Sequence, residues 1–133
     1  MNRSISTTAL AIALGIAALA TTAQAAPDPG AARRSCFSMQ QLQSTRPDGD
    51  QRIYARVNLH DVYRLDLAFR CPALADREGI VLVPAGGEDN ICGPLDLDLR
   101  AREVGGGSTP CMIKSITKLT AEEAAALPPK VRP

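Results

Sequence analysis

The sequence predicts a mainly β fold: a small antiparallel sheet or partly closed barrel of about five strands, with a short C-terminal helix, stapled by disulfides. Three observations support this prediction. Apolar and polar residues alternate with a period of two through much of residues 52–71, as they do in strands with one buried face. The short chain contains 4 cysteines. No strand–helix–strand alternation indicates a parallel sheet.

Residues 52–71 predict a β-hairpin, the element on which the rest of the domain is arranged. Residues 58–61 hold the turn, because Asn and Asp both suit reversals. Two sets of alternating apolar side chains are predicted to face the core: Ile53, Ala55, Val57 and Leu59 in the first strand, and Tyr63, Leu65, Leu67 and Phe69 in the second.

Three further strands are predicted to complete the sheet. Residues 79–83 form a continuous apolar run that indicates a buried strand. Residues 95–100 alternate, so that Leu95, Leu97 and Leu99 are expected to face inward. Residues 111–117 form the last strand, after a loop at the glycines 105–107.

Turns and short helices are predicted around these strands. A helical turn with Ser38 as its N-cap is expected within residues 36–43. Residues 47–49, Pro-Asp-Gly, indicate a tight turn, and residues 72–77 indicate a further helical turn that begins at a proline. Thr120 and Glu123 have the spacing of a capping box, which predicts a helix over residues 121–127 that ends before Pro128.

The N-terminal segment predicts export. Residues 1–25 combine a basic start, an apolar run and a small-residue cleavage site ending at Ala25, which is typical of a signal peptide. The alternative, a buried N-terminal helix, lacks the polar face that such a helix would show. We therefore expect a flexible leader at 26–34, one domain at 35–128 and a disordered tail at 129–133, in a protein that is periplasmic or secreted after cleavage near Ala25.

The charge balance limits the partners. The chain has 15 basic and 14 acidic residues, and cleavage removes Arg3, so the mature protein is close to neutral. Nucleic-acid binding proteins normally carry a basic excess, so no nucleic-acid partner is expected. No later segment is long enough to span a membrane. The expected partner is an envelope protein or a small ligand.

The 4 cysteines, Cys36, Cys71, Cys92 and Cys111, predict two disulfides, because an even count in a short exported chain is typical of a disulfide framework. A zinc site is the alternative, but zinc ligands usually come in closely spaced pairs. Three connectivities are open. We favour Cys71–Cys92 and Cys36–Cys111, which tie adjacent segments and the two ends of the domain.

No catalytic residue, metal site or cofactor is predicted. His60 is the only histidine, and its neighbour Asp61 would point to the opposite face of an extended chain. The acidic residues at 88–89, 96 and 98 do not match a calcium loop. The glycines 105–107 lack the context of a phosphate-binding loop.

The outer side of the hairpin is the candidate interaction face. Tyr54, Arg56 and Arg64 are the residues of this face that interfaces favour. The alternative is a solvated sheet face on which arginines pair with Asp66 across the strands, and this is the interpretation that we prefer.

The pattern resembles a family of small exported bacterial proteins with four cysteines, known only as a domain of unknown function. The resemblance covers about residues 35–128 and is carried by the four cysteines with their neighbours, by VYRLDL at 62–67 and by KLTAEEAAALP at 118–128. Some members look like lipoproteins, whereas this chain has Ala26 after its predicted cleavage site. The resemblance implies no activity.

The functional prediction is therefore a periplasmic binding or interaction module. A small exported enzyme with a site built from Ser, Asp and His60, and a passive envelope stress or scaffold protein, are the alternatives.

Overall fold

A computed structural model describes residues 36–76 and 79–133 of the chain. The predicted fold class is confirmed: the described residues form three antiparallel sheets and one short α-helix. The strands are β1 (Phe37–Ser38), β2 (Leu42–Asp48), β3 (Arg52–Val57), β4 (Asp61–Leu67), β5 (Ile80–Pro84), β6 (Asn90–Ile91), β7 (Leu97–Arg102), β8 (Ser108–Cys111) and β9 (Ile113–Lys118), and the helix is α1 (Ala121–Ala125).

The predicted hairpin is the centre of the largest sheet. Strands β3 and β4 pair with Ala55 opposite Tyr63. Strand β2 lies on one side of the hairpin and β9 on the other, which gives the order β2-β3-β4-β9. Asn58, the first residue of the turn, has a φ of 55°, a conformation that asparagine tolerates better than most residues.

The second large sheet has the order β5-β7-β8. Strand β8 ends at Cys111 and β9 begins at Ile113, so the chain passes from one sheet into the other through Met112. The third sheet is the short pair β1 and β6. The sheets do not close into a barrel, because no described pairing joins β2 to β5, the outermost strands of the two large sheets.

The main core lies between the inner faces of these sheets. Alternation in β3 and β4 places Ile53 and Leu65 opposite each other, and both are fully buried. Leu97, Leu99 and Ala101 of β7 are buried in the same cluster. The rings of Phe37 and Tyr63 pack with their centroids 4.8 Å apart. Side chains therefore fill the space between the sheets.

A second, smaller core lies on the outer face of the hairpin. It consists of Tyr54, Val62, Leu127 and Val131. The C-terminal segment 129–133, expected to be a disordered tail, instead packs here, with Val131 only 3% exposed. Arg132 fixes this segment because its guanidinium donates to the carbonyl oxygens of Ala125 and Leu127, at 2.9 and 2.8 Å.

Two disulfides are present, but the favoured connectivity was wrong. The outer disulfide joins Cys36 to Cys92, with the Cα atoms 4.2 Å apart, and the inner disulfide joins Cys71 to Cys111, with the Cα atoms 5.9 Å apart. The reason is strand pairing. Strand β1 pairs with β6, which places residue 36 beside residue 92. The end of the hairpin bonds to the β8–β9 junction, which brings Cys71 beside Cys111.

Several local predictions need correction. Leu95 does not face inward: it lies in a short 3-10 helix and is 87% exposed. Phe69 lies beyond the end of β4 and is exposed. Residues 80–83 form a strand at the edge of a sheet, half-buried rather than buried. Residues 47–48, predicted to begin a turn, end strand β2, and the turn follows at 49–51.

Other local predictions are confirmed. Thr120 and Glu123 form the capping box of α1, and Ser38 caps a 3-10 turn at Met39–Gln41. The helix is shorter than predicted, since it ends at Ala125. The signal peptide 1–25 and the leader 26–34 lie outside the described residues, so both stay predictions. Within the described residues, no helix has the length and hydropathy needed to cross a bilayer.

Candidate functional site in the open seam between two sheets

The feature that distinguishes this fold is the gap between strands β2 and β5, which we call the seam: residues 42–47 on one side and 79–82 on the other. Two grooves of about 370 and 310 Å³ run along it. Thr45 and Ile80 line both grooves, whereas Pro47 lines only the first and Leu82 only the second. Strands β2 and β5 therefore run in opposite directions on the two sides of the seam.

Strand β5 presents to the seam backbone groups that pair with no other strand in the described part of the chain. The amide of Arg102 donates to the carbonyl of Gly79 at 3.0 Å, so residues 79 and 102 form a hydrogen-bonded pair. Such pairs alternate along an antiparallel ladder. Residues 81 and 83 therefore bond to β7, and Ile80 and Leu82 direct their N–H and C=O groups away from β7, toward the seam.

Strand β2 presents fewer free groups. The amide of Leu67 donates to the carbonyl of Gln51, which assigns the odd-numbered residues of β3 to the ladder with β4 and the even-numbered ones to the ladder with β2. In the register of β2 and β3, this leaves Thr45 and Pro47 facing the seam. Thr45 offers an N–H and a C=O, and Pro47 offers only a C=O.

The edge of β5 is protected only at its last residue, over a shorter stretch than the other sheet edges. Natural edge strands usually carry charges or proline that discourage pairing with another chain. All four edge strands of the large sheets have such residues: Arg46 and Pro47 in β2, Pro110 in β8, Lys114 and Lys118 in β9, and in β5 only the last residue, Pro84. Strand β5 has four consecutive apolar residues before Pro84. Val83 is 44% exposed.

The first groove has an apolar floor and two cations. Leu74 and Ile80 belong to the main core or pack against it. Arg46 and Lys130 line the same groove and are both exposed. Among the described residues, no carboxylate lies within ion-pair distance of either cation. This end of the seam is therefore positive, whereas the lining of the second groove contains no charged residue.

The predicted interaction face on the hairpin is mostly occupied by the protein itself. Tyr54 is 6% exposed, because α1 and the C-terminal segment cover it. The guanidinium of Arg56 donates to the backbone oxygen of Pro133. Arg64 forms an ion pair with Asp66, at 2.9 Å between Nε and Oδ2. The three residues thus make intramolecular contacts, and Tyr54 is not available to a partner.

Asp66 is the electrostatic centre of the hairpin. It lies opposite Arg52, whose Nε is 3.0 Å from Oδ1, and it accepts a second hydrogen bond from Arg64. Partial burial alone would raise the pKa of Asp66, but the hydrogen bonds and charges of the two arginines together outweigh it and hold that pKa below its usual range. The hydrogen bond to Asp66 raises the pKa of Arg52.

The remaining residues considered for chemistry are apart from one another. His60 lies exposed in the hairpin turn. The carboxylate of Asp61 is 2.7 Å from Nζ of Lys118, and this hydrogen bond raises the lysine pKa. Asp96 accepts from the amides of Cys92 and Gly93, which explains it as a local cap. The described residues contain no group of three or more potential metal ligands of the His, Cys, Asp or Glu type.

Fold and seam together define a small β domain that is stapled by two disulfides and open along one pair of strand edges. The chain belongs to a family of unknown function, DUF6491, whose model matches residues 1–132. This agrees with the resemblance found in the sequence. No curated protein and no solved structure matches the chain.

Sequence reasoning missed the seam, although two residues hinted at it. Pro47 and Pro110 both lie inside strands, and proline within a sheet is found essentially at edges, at bulges or at the first residue of a strand. Each therefore marked an edge strand. Strand β5 has a proline only at its last residue, Pro84, and its apolar run at 80–83 is also typical of a central strand.

Proposed function

We propose that the protein is an exported binding module that takes an extended polypeptide segment into the seam between β2 and β5. The single observation that carries this proposal is that two strand edges face each other and that, among residues 36–76 and 79–133, neither edge is paired with another strand. Ile80 and Leu82 supply both donors and acceptors along β5. An incoming strand pairs with such an edge through main-chain hydrogen bonds, while its alternate side chains enter pockets.

The geometry favours a polypeptide over a compact small ligand. Free N–H and C=O groups recur every second residue, a spacing of roughly 6.8 Å that another extended chain matches. The interior between the sheets is filled, with Ile53, Val57, Leu65 and Ile91 fully buried. The accessible volume thus lies along the strand edges.

The seam also favours one extended segment over the sheet edge of a second copy. An isolated strand has two free edges, so it can bond to β5 on one side and to Thr45 of β2 on the other. A strand that already belongs to a sheet has only one free edge, and its neighbours would meet β2 across the seam.

The disulfides explain how the domain tolerates an open seam. The inner disulfide, Cys71–Cys111, joins the end of the hairpin to β8 and so links the two large sheets on the side away from the seam. A disulfide typically contributes about 2–4 kcal/mol, a large share of a total stability near roughly 5–15 kcal/mol. The sheets are thus held together without direct pairing of β2 and β5.

The test is selection from a random peptide library on the oxidised protein, followed by measurement of affinity for two matched variants. Leu82→Ala removes the side chain, and Leu82→Pro also removes the N–H that faces the seam. Neither variant loses a hydrogen bond to β7, because the backbone N–H and C=O of residue 82 point away from that strand. Both variants should therefore unfold at similar urea concentrations.

We expect peptides rich in alternating apolar residues, which bind the Leu82→Pro variant about threefold to tenfold more weakly than the Leu82→Ala variant, the loss of roughly one hydrogen bond. Equal affinity for the two variants, or a library that yields no binder, contradicts the proposal. The second result would favour a passive scaffold role.

A further inference from the structure

We infer that the seam recognises a carboxylate at one end of the bound segment, through Arg46 and Lys130. This inference rests on the proposed function and adds a direction and a chemical preference to it. The two cations belong to elements distant in sequence, yet they line the same groove as Thr45 and Ile80. Their common position is a property of the folded domain.

The backbone of each cationic residue is held in place by the neighbouring structure. Arg46 lies opposite Tyr54 in the β2–β3 ladder, and Tyr54 is fixed in the second core. Lys130 precedes Val131, a member of the same core. The second core therefore positions the backbone of both cations, while their exposed side chains remain free to move toward a ligand.

The distribution of charge along the seam gives the bound segment a direction. The first groove, beside Gly79 and Ile80, contains both cations. The second groove, beside Val81 and Leu82, is lined by apolar and uncharged polar residues. A segment with a carboxylate at one end and apolar residues behind it matches this order, whereas the reverse orientation would leave its carboxylate without a cation.

Two sources supply such a carboxylate: the C-terminus of a polypeptide, and an Asp or Glu side chain within it. Both accept hydrogen bonds from a guanidinium or an ammonium group. Capture of a C-terminal carboxylate together with strand addition is a known mode of peptide recognition. The chemistry of the groove is the same for both sources, so the experiment has to separate them.

The probe is a synthetic peptide of alternating valine and threonine, about as long as the 5 residues of β5, with an acetylated N-terminus. It is made in three forms: the C-terminal acid, the C-terminal amide, and an amide that ends in glutamate. Affinity is measured by calorimetry for the oxidised protein and for the Arg46→Gln, Lys130→Gln and Lys114→Gln variants. Lys114 is an exposed lysine on β9, at the opposite edge of the four-stranded sheet, and serves as the matched control.

We expect at least one carboxylate-bearing form to bind about threefold to tenfold more tightly than the simple amide, as two solvent-exposed ion pairs allow. Arg46→Gln and Lys130→Gln should each remove part of this difference, Lys114→Gln should not, and added salt should weaken it. Preference for the acid alone identifies a C-terminus, and preference for the glutamate form identifies a side chain.

Equal affinity for all three forms overturns the inference, and so does an equal effect of the Lys114→Gln control. If peptides selected from the library still depend on the Leu82 N–H in either case, the proposed strand binding stands and only the carboxylate preference fails. Absence of binding by all three forms also overturns the inference, and a library without binders removes the proposed function with it.

Discussion

Tyr54 connects the hairpin to the C-terminal segment, and its replacement by alanine tests whether the outer face of the sheet is a second core. The ring packs with Val62, Leu127 and Val131 and is 6% exposed. Tyr54→Ala removes the largest side chain of this cluster. The segment that carries Lys130 then loses the surface on which it rests.

The expected cost follows from the size of the cluster. Truncation of a large aromatic side chain in a core typically costs about 3–5 kcal/mol. The second core has four buried residues among those described and lies under a terminal segment that can partly collapse into the space, so we expect a cost at or just below the lower bound, about 2–3 kcal/mol. With a urea m-value of about 1–2 kcal/mol/M, the unfolding midpoint should fall by roughly 1–3 M.

The assay is urea unfolding of the oxidised protein, followed by far-UV circular dichroism. Tyr54→Phe is the matched control, because it keeps the ring and should cost less than about 1 kcal/mol. A change of less than about 0.5 kcal/mol for Tyr54→Ala, the range of ordinary surface substitutions, would show that the ring is exposed and that the hairpin face is open to partners.

Two further predictions concern the charges and the disulfides. Because the pKa of Asp66 is lowered in the folded protein, its contribution to stability is full above the unfolded-state value of 3.8 and is lost as the pH falls through the lower folded pKa. The stability advantage over Asp66→Asn, about 1 kcal/mol near pH 6, should therefore shrink as the pH is lowered below 3.8, and an advantage that stays constant over that acidic range would contradict the ion-pair assignment. The outer disulfide joins two exposed cysteines and the inner one two buried cysteines, so limited reduction should open the outer bridge first; peptide mapping after alkylation that finds the inner bridge opened first would contradict the burial of Cys71 and Cys111.

Local patterns in the sequence were sufficient for elements whose partners are close in the chain. The period of two in β3 and β4 identified the hairpin and its buried face, since Ile53 and Leu65 face each other across only a short turn. The capping box of α1 depends on two residues three positions apart. In both cases the stabilising contact lies within the pattern itself.

Features that depend on distant segments could not be predicted in this way. The outer disulfide forms because β1 meets β6, two strands of 2 residues each that have no periodic signal. In the alternating pattern of β3, Tyr54 lies on the polar side, where an exposed residue is expected. It is buried by Leu127 and Val131, which lie more than 70 positions later in the chain. The seam is defined by strands that do not pair, and this becomes visible only when all of the strands are placed.

The central claim is that β5 offers free backbone groups to an incoming strand, and amide hydrogen exchange tests it most directly. In the free protein, the amides of Ile80 and Leu82 should exchange rapidly, while those of Val81 and Val83, bonded to β7, should be protected. Saturation with a peptide selected on the protein should protect Ile80 and Leu82 as well. Slow exchange of both amides before any peptide is added, or rapid exchange that a bound peptide leaves unchanged, would contradict the account.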